Sequence, residues 1–137
     1  MKVFVDLNIL LDVVLDRSEF VKESAQTLGR IVSARSCRGY VAQHAVTTLF
    51  YIVRKQCGIE GARTAVRKVL KLLMVLPATQ KTLIDATDSK YADYEDAVSF
   101  LSADAAGCDV IITRNPKDYS KSPVPAMTPE EFLSLTR

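Results

Sequence analysis

The sequence predicts an α/β fold in three layers, with helices on both faces of a central parallel sheet of four to five strands. Short apolar runs that end in polar residues alternate with longer segments of helical spacing. The chain has 137 residues, 48% of them hydrophobic and 25% charged. This size and composition suit a single domain, residues 1–137, with one core.

The first part of the chain predicts a strand followed by two helices. Residues 2–5 are β-branched or aromatic, as expected of a short buried strand. Residues 7–15 repeat apolar side chains at helical spacing. Ser18 is a suitable N-cap for a second helix, whose apolar positions run over 20–32. We expect Gly39 to close this stretch.

The middle of the chain predicts two strands with two helices between them. Residues 40–42 form the second strand, and 74–76 form the third. Helical spacing returns over 45–54 and again over 59–73. Gly58 separates these two helices, because glycine is a common end to a helix.

The next part predicts two helices and a strand. Thr79 or Thr82 is expected to cap a short helix over 83–86. A longer helix covers 92–106, and the fourth strand covers 109–113.

The end of the chain predicts a short fifth strand, 125–127, and a final helix. Thr128 is a good N-cap, Pro129 suits the first helical position and Glu131 is an acid at N3. This last helix is expected to run to about Leu135.

Polar side chains follow two of the predicted strands at the point where each ends. Asp6 ends the first strand, with Asn8 two residues on, and Thr113, Asn115 and Asp118 follow the fourth. Right-handed crossovers place the carboxyl ends of parallel strands on one edge of the sheet, where open α/β sheets bind their ligands. We therefore expect these groups to converge.

Each acid also has a purely local interpretation. Asp6 could cap the helix that follows it. Asp93 could be the N-cap of the 92–106 helix and Asp96 an acid in its first turn, or Asp96 could point toward Asp6. Asn115 and Asp118 could serve a turn after the fourth strand.

Converging carboxylates repel each other, so we expect a bound cation among them. Oxygen donors without clustered His or Cys favour Mg²⁺ or Mn²⁺ over zinc. His44 is the only histidine, which argues against a His-based metal site or triad. The Thr113 hydroxyl is well placed to hold a carboxylate, and the sequence has no Gly-rich phosphate loop.

Basic residues are concentrated in the middle of the chain. Residues 24–84 hold ten Lys and Arg but one acid, Glu60, so this segment is +9 and the remainder −7. Arg63, Arg67 and Lys71 follow at steps of four and share a helix face. Such a surface suits a polyanion held near a cation site, and ordinary solvated helix faces are the alternative.

Cysteine usage and hydropathy indicate a cytoplasmic protein without a membrane partner. The three cysteines lack paired ligand spacing, and their odd number argues against a disulfide framework. No apolar stretch is long enough to span a bilayer. Asp6 and Asp12 interrupt the apolar run that a signal peptide needs.

Three segments, in this order and at this spacing, resemble the PIN domain family: 3–8 (VFVDLN), 93–97 (DYEDA) and 111–119 (IITRNPKDY). The resemblance covers nearly the whole chain. It implies a small α/β nuclease that cuts RNA with Mg²⁺ or Mn²⁺. Many members of the family are toxins of type II toxin–antitoxin pairs that dimerise and are masked by an antitoxin.

The resemblance also implies roles for individual residues. Asp6, Asp96 and Asp118 are the expected catalytic acids, and these three with Asn115 are the expected metal ligands. The supporting polar side chains would be Asn8, Asp93, Thr113 and Thr48.

The chain departs from the family pattern at two positions. Many members carry a Glu on the helix after the second strand, where this chain has Thr48. Gln43 and His44 are nearby polar residues that could compensate. Another acidic position is Asn115, which leaves Asp118 as the nearby acid. Fewer carboxylates mean weaker cation binding.

The leading hypothesis is metal-dependent hydrolysis of RNA, with Arg63, Arg67 and Lys71 holding the RNA backbone. A second hypothesis is a catalytically weak or inactive module of the same fold that binds nucleic acid or protein. A third is phosphotransfer through Asp6, as in haloacid dehalogenase-like folds. Those proteins have an Asp where this chain has Asn8.

Overall fold

The computed structural model describes residues 1–90 and 93–136, and its elements follow the predicted alternation of strands and helices. In chain order they are β1 (Lys2–Val5), α1 (Leu7–Val14), α2 (Val21–Ser33), β2 (Arg38–Ala42), α3 (Gln43–Leu72), β3 (Met74–Leu76), α4 (Gln80–Thr87), α5 (Tyr94–Ala105), β4 (Val110–Ile112), a short 3₁₀ helix (Pro116–Tyr119), β5 (Ala126–Met127) and α6 (Pro129–Leu135).

The five strands form one sheet in the order β3-β2-β1-β4-β5, and every pairing is parallel. The prediction of a parallel sheet is therefore confirmed. The register places Phe4 opposite Tyr40 of β2 and Ile111 of β4. From β1 the chain runs outward through β2 to β3 on one side, and it then crosses to β4 and β5 on the other side of β1. In open α/β sheets this arrangement creates a ligand-binding crevice at the carboxyl ends of the strands.

The core lies on both faces of the two central strands. Val3, Val5, Ile111 and Ile112 have no exposed surface, so β1 and β4 read as continuous apolar runs, as expected of parallel strands covered on both sides. Helices α1 to α6 supply the two outer layers. Buried side chains of α1, α2, α3, α5 and α6 join the main core, whereas Ala86 of α4 packs with Ala97 and Val98 of α5 in a smaller cluster. Over residues 1–90 and 93–136, every helix is too short or too polar to cross a membrane.

Two of the predicted helix caps are present. Thr79 caps α4, since its hydroxyl accepts a hydrogen bond from the Thr82 backbone N–H at 3.2 Å. Thr128 begins α6 with a reciprocal capping box, in which the Glu131 side chain accepts from the Thr128 N–H at 3.0 Å. The start of α6 is therefore as predicted, whereas α4 begins at Gln80, three residues before the predicted start, with Thr79 and not Thr82 as its cap.

Three predictions in the first third of the chain are wrong. Ser18 does not cap α2, because this helix begins at Val21 with Phe20 at the N-cap position and no side-chain cap. Val32, expected to face the core, is 47% exposed. Gly39 lies inside β2 rather than closing the helix, and a Cβ there would overlap the Leu73 and Ile31 side chains. Gly39 thus permits close packing of helix on sheet.

The break predicted at Gly58 is present within α3. Its backbone angles, φ 74° and ψ 177°, are not helical, and they separate two helical halves. The first half begins at Gln43, two residues earlier than expected. On the other side of the sheet, α5 begins at Tyr94, and the predicted start at Ala92 lies outside the described residues.

Candidate functional site

The pairing of β1 with β4 brings Asp6 to Thr113. The Asp6 N–H donates to the Ile112 carbonyl at 3.0 Å, which extends the ladder to the ends of both strands. The Thr113 hydroxyl then donates to Asp6 Oδ2 at 2.8 Å. Asp6 occupies the N-cap position of α1, but its side chain makes no cap hydrogen bond. The Asp6 carboxylate is therefore oriented at the edge of the sheet by Thr113, and it does not serve as the side-chain cap of α1.

Asp93 and Asp96 divide the two roles that the sequence left open. The Asp93 carboxylate caps α5 by accepting from the Asp96 N–H at 3.2 Å. The Asp96 side chain does not cap the helix and instead lines a cavity that Asp6 also lines. Tyr119, in the 3₁₀ helix, donates its hydroxyl to Asp96 Oδ1 at 3.5 Å. Capping thus fixes the helix start from which Asp96 projects.

The shared cavity has a volume of about 170 Å³ and opens at the carboxyl edge of the sheet. It is formed where the end of β1 meets the first turns of α3 and α5. Its polar lining consists of Asp6, Asn8, His44, Asp93, Glu95, Asp96 and Ser99.

The carboxylates of this cavity oppose each other's ionisation. Burial raises the pKa of Asp6, Asp118 raises it further, and the Thr113 hydroxyl, the Leu7 backbone and Arg114 partly offset these effects. Burial, together with the charges of Asp93, Asp6 and Asp118, raises the pKa of Asp96 to about 7. A cation among these groups would relieve the repulsion and favour their ionised forms.

Of the two residues that could compensate for Thr48, His44 lines the cavity and Gln43 is not among its lining residues. It is the second residue of α3, just past the end of β2. Its Nε2 lies 3.2 Å from the Ser99 hydroxyl of α5. Burial lowers the pKa of His44, while the nearby acids raise it. The signal in the sequence was its position after a strand, as with Asp6. Thr48, one helical turn later, is not among the lining residues.

Asn115 and Asp118 lie in the segment after β4. The Asn115 N–H donates to the Thr113 hydroxyl oxygen at 3.2 Å, and the Asp118 N–H donates to the Asn115 carbonyl at 3.0 Å. Both residues therefore serve the turn that leads into the 3₁₀ helix. Neither lines the 170 Å³ cavity, although the charge of Asp118 acts on both Asp6 and Asp96.

Arg114 is held beside the site by a buried acid that the sequence did not single out. Asp12 of α1 is fully buried, and its Oδ2 lies 3.0 Å from Arg114 Nε and accepts from Ser24 at the same distance. The Arg114 guanidinium also lies over the Phe20 ring, 4.1 Å from its centroid. This anchoring keeps a positive charge near Asp6, whose pKa Arg114 lowers.

The donor set fits a hard divalent cation. Within residues 1–90 and 93–136, no group of three or more His, Cys, Asp and Glu side chains is already arranged to hold a metal. Asp6 and Asp96 do share one cavity, however, and Mg²⁺ is commonly held by one or two carboxylates together with waters and substrate phosphates. A structural zinc site would need four closely placed ligands, chiefly nitrogen or sulfur.

The basic face lies on the second half of α3. Arg63, Arg67 and Lys71 are exposed there, and none of them lines the acidic cavity. Arg63 contacts Glu60 at 2.7 Å, but an exposed pair of this kind is weak and leaves the guanidinium available.

A larger groove of about 510 Å³ lies between α1, α2 and α3. Most of its lining is apolar, including Leu10, Val13, Leu28 and Val69. No carboxylate of the acidic cavity reaches it. The chemistry is therefore assigned to the smaller cavity.

Comparison with known proteins gives a match over most of the chain. A family model described as PIN domain matches residues 2–117. Ribonuclease VapC1 of Aquifex aeolicus (strain VF5) is 27% identical over 136 residues, which are 96% of this chain and 92% of that protein.

Solved structures share the fold at low sequence identity. VapBC2 from Rickettsia felis, bound to a promoter DNA fragment, has a TM-score of 0.72 at 14% identity and covers 93% of this chain and 98% of its own. A toxin–antitoxin complex from Klebsiella pneumoniae has a TM-score of 0.69 at 22% identity, with coverages of 93% and 97%. VapC20 of Mycobacterium tuberculosis, a toxin that cleaves the sarcin–ricin loop, has a TM-score of 0.64 at 15% identity, with coverages of 80% and 86%. At these identities the similarity establishes the three-layer fold.

Proposed function

Since the chain belongs to the PIN domain family, we propose that it is a ribonuclease that hydrolyses RNA phosphodiester bonds with Mg²⁺ or Mn²⁺. The observation that carries this proposal is the shared cavity, because it unites Asp6 of one strand end with Asp96 of a distant helix. The similarity to a ribonuclease from Aquifex aeolicus supports the substrate class.

In the proposed mechanism, Asp6 and Asp96 would hold the ion, and Asp118 and Asn115 would contribute to its binding through water. The ion, when bound, would supply an activated water and offset the charge that builds on the phosphate. Thr113 fixes the orientation of the Asp6 carboxylate through its 2.8 Å hydrogen bond. No side chain of the protein needs to act as the nucleophile.

Supporting polar groups complete the proposed site. Asn8 lines the cavity two residues after Asp6, and Asp93 holds the start of α5 in place. Thr48, which would be a supporting polar residue on α3, lies outside the cavity lining and offers no carboxylate. Arg63, Arg67 and Lys71 would hold the RNA backbone by charge.

We further propose that the protein is the toxin of a toxin–antitoxin pair, acts as a homodimer and works in the cytoplasm. Similar structures from Klebsiella pneumoniae and Rickettsia felis are complexes of this type, which supports an antitoxin partner. The proposal of a cytoplasmic location is supported by the proposed RNA substrate.

Replacing Asp6 with Asn tests the proposed activity. The amide keeps the shape of the side chain and can still accept from Thr113, but it removes the charge that holds the cation. Cleavage of labelled RNA in Mn²⁺ should fall to background while the unfolding midpoint shows a folded protein. Asp85→Asn, an exposed acid paired with Lys81 on α4, is the control and should cleave normally. Cleavage by Asp6→Asn at the wild-type rate would contradict the proposal.

The alternative is a binding module without activity. It is favoured by Thr48, which supplies no carboxylate, and by the absence of a preassembled three-ligand group among the described residues. Titration with Mn²⁺ separates the two functions. A nuclease should show saturable binding that Asp6→Asn abolishes, whereas a binding module should retain RNA without any such site.

A further inference from the structure

A chain of hydrogen bonds runs from His44 to Asp96 through two buried hydroxyl groups. His44 Nε2 lies 3.2 Å from Ser99 Oγ. The Ser99 hydroxyl bonds in turn to the Tyr119 hydroxyl, which lies 3.5 Å from Asp96 Oδ1. Ser99 is 6% exposed and Tyr119 is 3% exposed, so water has little access to the inner links. The chain joins α3, α5 and the 3₁₀ helix.

The direction of each link follows from what its groups can donate. An ionised carboxylate only accepts, so the Tyr119 hydroxyl donates to Asp96. The phenol oxygen then accepts from Ser99, and Ser99 accepts from His44 Nε2–H. Burial raises the pKa of Tyr119 most; donation to Asp96 raises it further, and the bond from Ser99 lowers it, in agreement with this order.

This order of donors and acceptors also defines the tautomer of the His44 imidazole. The proton of His44 is on Nε2, and burial, which lowers the pKa of His44, favours the neutral ring. The Nε2–H group of His44 therefore donates its hydrogen bond to Ser99. Its effect on the acidic cavity reaches Asp96 through the hydroxyl groups.

We propose that His44, Ser99 and Tyr119 position the Asp96 carboxylate for the divalent cation. His44, which α3 supplies, is the first residue of this hydrogen-bond series. This inference rests on the proposed function. Groups that hydrogen-bond to metal-binding carboxylates orient them, and their loss commonly weakens metal binding by about 10- to 100-fold. Helix α3 thus contributes a positioning residue on the element where Thr48 offers no carboxylate.

Two histidine variants separate positioning from simple packing. The amide nitrogen of Gln can occupy the place of His Nε2 and still donate to Ser99. The amide of Asn reaches only the place of Nδ1, so that link is broken. Both variants remove the ring and its packing. A difference between them therefore reports the hydrogen bond.

The test measures the affinity of the full chain for Mn²⁺ alone, by titration calorimetry and by electron paramagnetic resonance of the free ion. Tyr119→Phe, Ser99→Ala and His44→Asn should each weaken binding by about 10- to 100-fold, and His44→Gln should restore most of the loss. Tyr40→Phe removes the hydroxyl of another buried tyrosine, which takes no part in these hydrogen bonds, and it should bind Mn²⁺ normally. Unfolding midpoints verify that each variant is folded.

A double variant tests whether the links act as one unit. His44→Asn combined with Tyr119→Phe should bind Mn²⁺ about as well as the weaker single variant, because one broken link already interrupts the chain. The inference would be overturned if the losses of Mn²⁺ affinity in the two single variants multiply, or if Tyr119→Phe binds Mn²⁺ normally. The Asp6→Asn variant still tests the proposed function independently. Wild-type protein that binds no Mn²⁺ would overturn both.

Discussion

The buried carboxylate of Asp12 and the half-buried carboxylates of Asp6 and Asp96 differ in the charges around them. Asp12 is fully buried but has Arg114 at 3.0 Å and Arg17 at 3.5 Å. Asp6 and Asp96 share a cavity with further acids, and the pKa of each is raised. A carboxylate whose charge is matched by nearby cations is typical of a structural ion pair. A group of carboxylates without matching cations is typical of a site that binds a ligand.

The pKa of Asp96 predicts how stability depends on pH without metal. Its folded value is raised from 3.8 to about 7, so the folded state holds a proton that the unfolded state has lost between these values. The stability linked to Asp96 is complete below pH 3.8 and is lost as the pH rises through 7. Asp96→Asn, which cannot ionise, should therefore stabilise the metal-free protein at pH 8.

This comparison uses urea unfolding in EDTA at pH 4 and pH 8. Asp96→Asn should differ little from wild type at pH 4 and should be the more stable protein at pH 8. Asp104→Asn, an exposed acid at the far end of α5, is the control. An Asp96→Asn protein that is less stable than wild type at pH 8 would show that the carboxylate is stabilised as an anion.

At the residue scale, the sequence predicted the acids better than their partners. Asp6 and Asp96 could be singled out because one ends an apolar strand and the other begins a helix. The relation of His44 to Ser99 and Tyr119 depends on how α3 and α5 pack, which no local pattern encodes. The buried pairing of Asp12 with Arg114 was missed for the same reason.

Within single elements, α3 is the least regular, because Gly58 interrupts it. The combination of φ 74° and ψ 177° is accessible almost only to glycine. Gly58→Ala should lower the free energy of unfolding by about 1–3 kcal/mol. A Cβ at Gly58 meets no atom within 4 Å, so the effect comes from backbone strain alone.

Gly29 supplies a matched control for this substitution. It lies inside α2, where a Cβ also meets nothing within 4 Å, but its φ is ordinary. Gly29→Ala should stabilise the protein by about 0.5–1 kcal/mol through helix propensity. Urea unfolding of both variants gives the comparison. Equal effects would mean that the kink at Gly58 relaxes without strain.

Elements with explicit start signals were predicted with different precision, since α6 begins at Pro129 as expected but α4 begins at Gln80 and not at 83. Thr79 and Thr128 cap their helices as expected, since capping is a local interaction. Ser18 and Gly39 were misassigned because serine and glycine also occur away from helix ends. For Gly39, the role becomes clear only from its close packing against Leu73 in the folded protein.

At the scale of the whole molecule, the distribution of charge predicts how RNA binds. Replacing Arg67 and Lys71 with Gln should weaken RNA binding. The slope of log affinity against log salt should become shallower by about 0.7 for each RNA phosphate that the protein no longer neutralises. Fluorescence anisotropy with Asp6→Asn as the background avoids cleavage during the measurement.

The control for this prediction removes two charges elsewhere. Arg35 and Arg38 are exposed at and just before the amino end of β2 and do not belong to the α3 face. Their double Gln variant should keep a salt slope close to wild type. Equal changes in both variants would show that RNA responds to net charge and not to the α3 face.

The fold class could be predicted because strands and helices alternate so regularly. The strand order could not, since the sequence does not state which strands are neighbours in the sheet. The observed order places β1 beside both β2 and β4, and this arrangement joins Asp6 to Thr113. The cavity is thus a property of the whole sheet.

The central place of β1 has a consequence for how the protein is made. The strand leaves the ribosome about 100 residues before β4, its partner from Val3 to Val5. At about 5–20 residues per second, the delay is roughly 5–20 s. Until then Asp6 has no Thr113 to orient it, and the helix that carries Asp96 has no complete sheet to pack on. The residues that line the acidic cavity are therefore all synthesised before β4, but the Asp6 carboxylate gains its Thr113 hydrogen bond only once β4 has been added to the sheet.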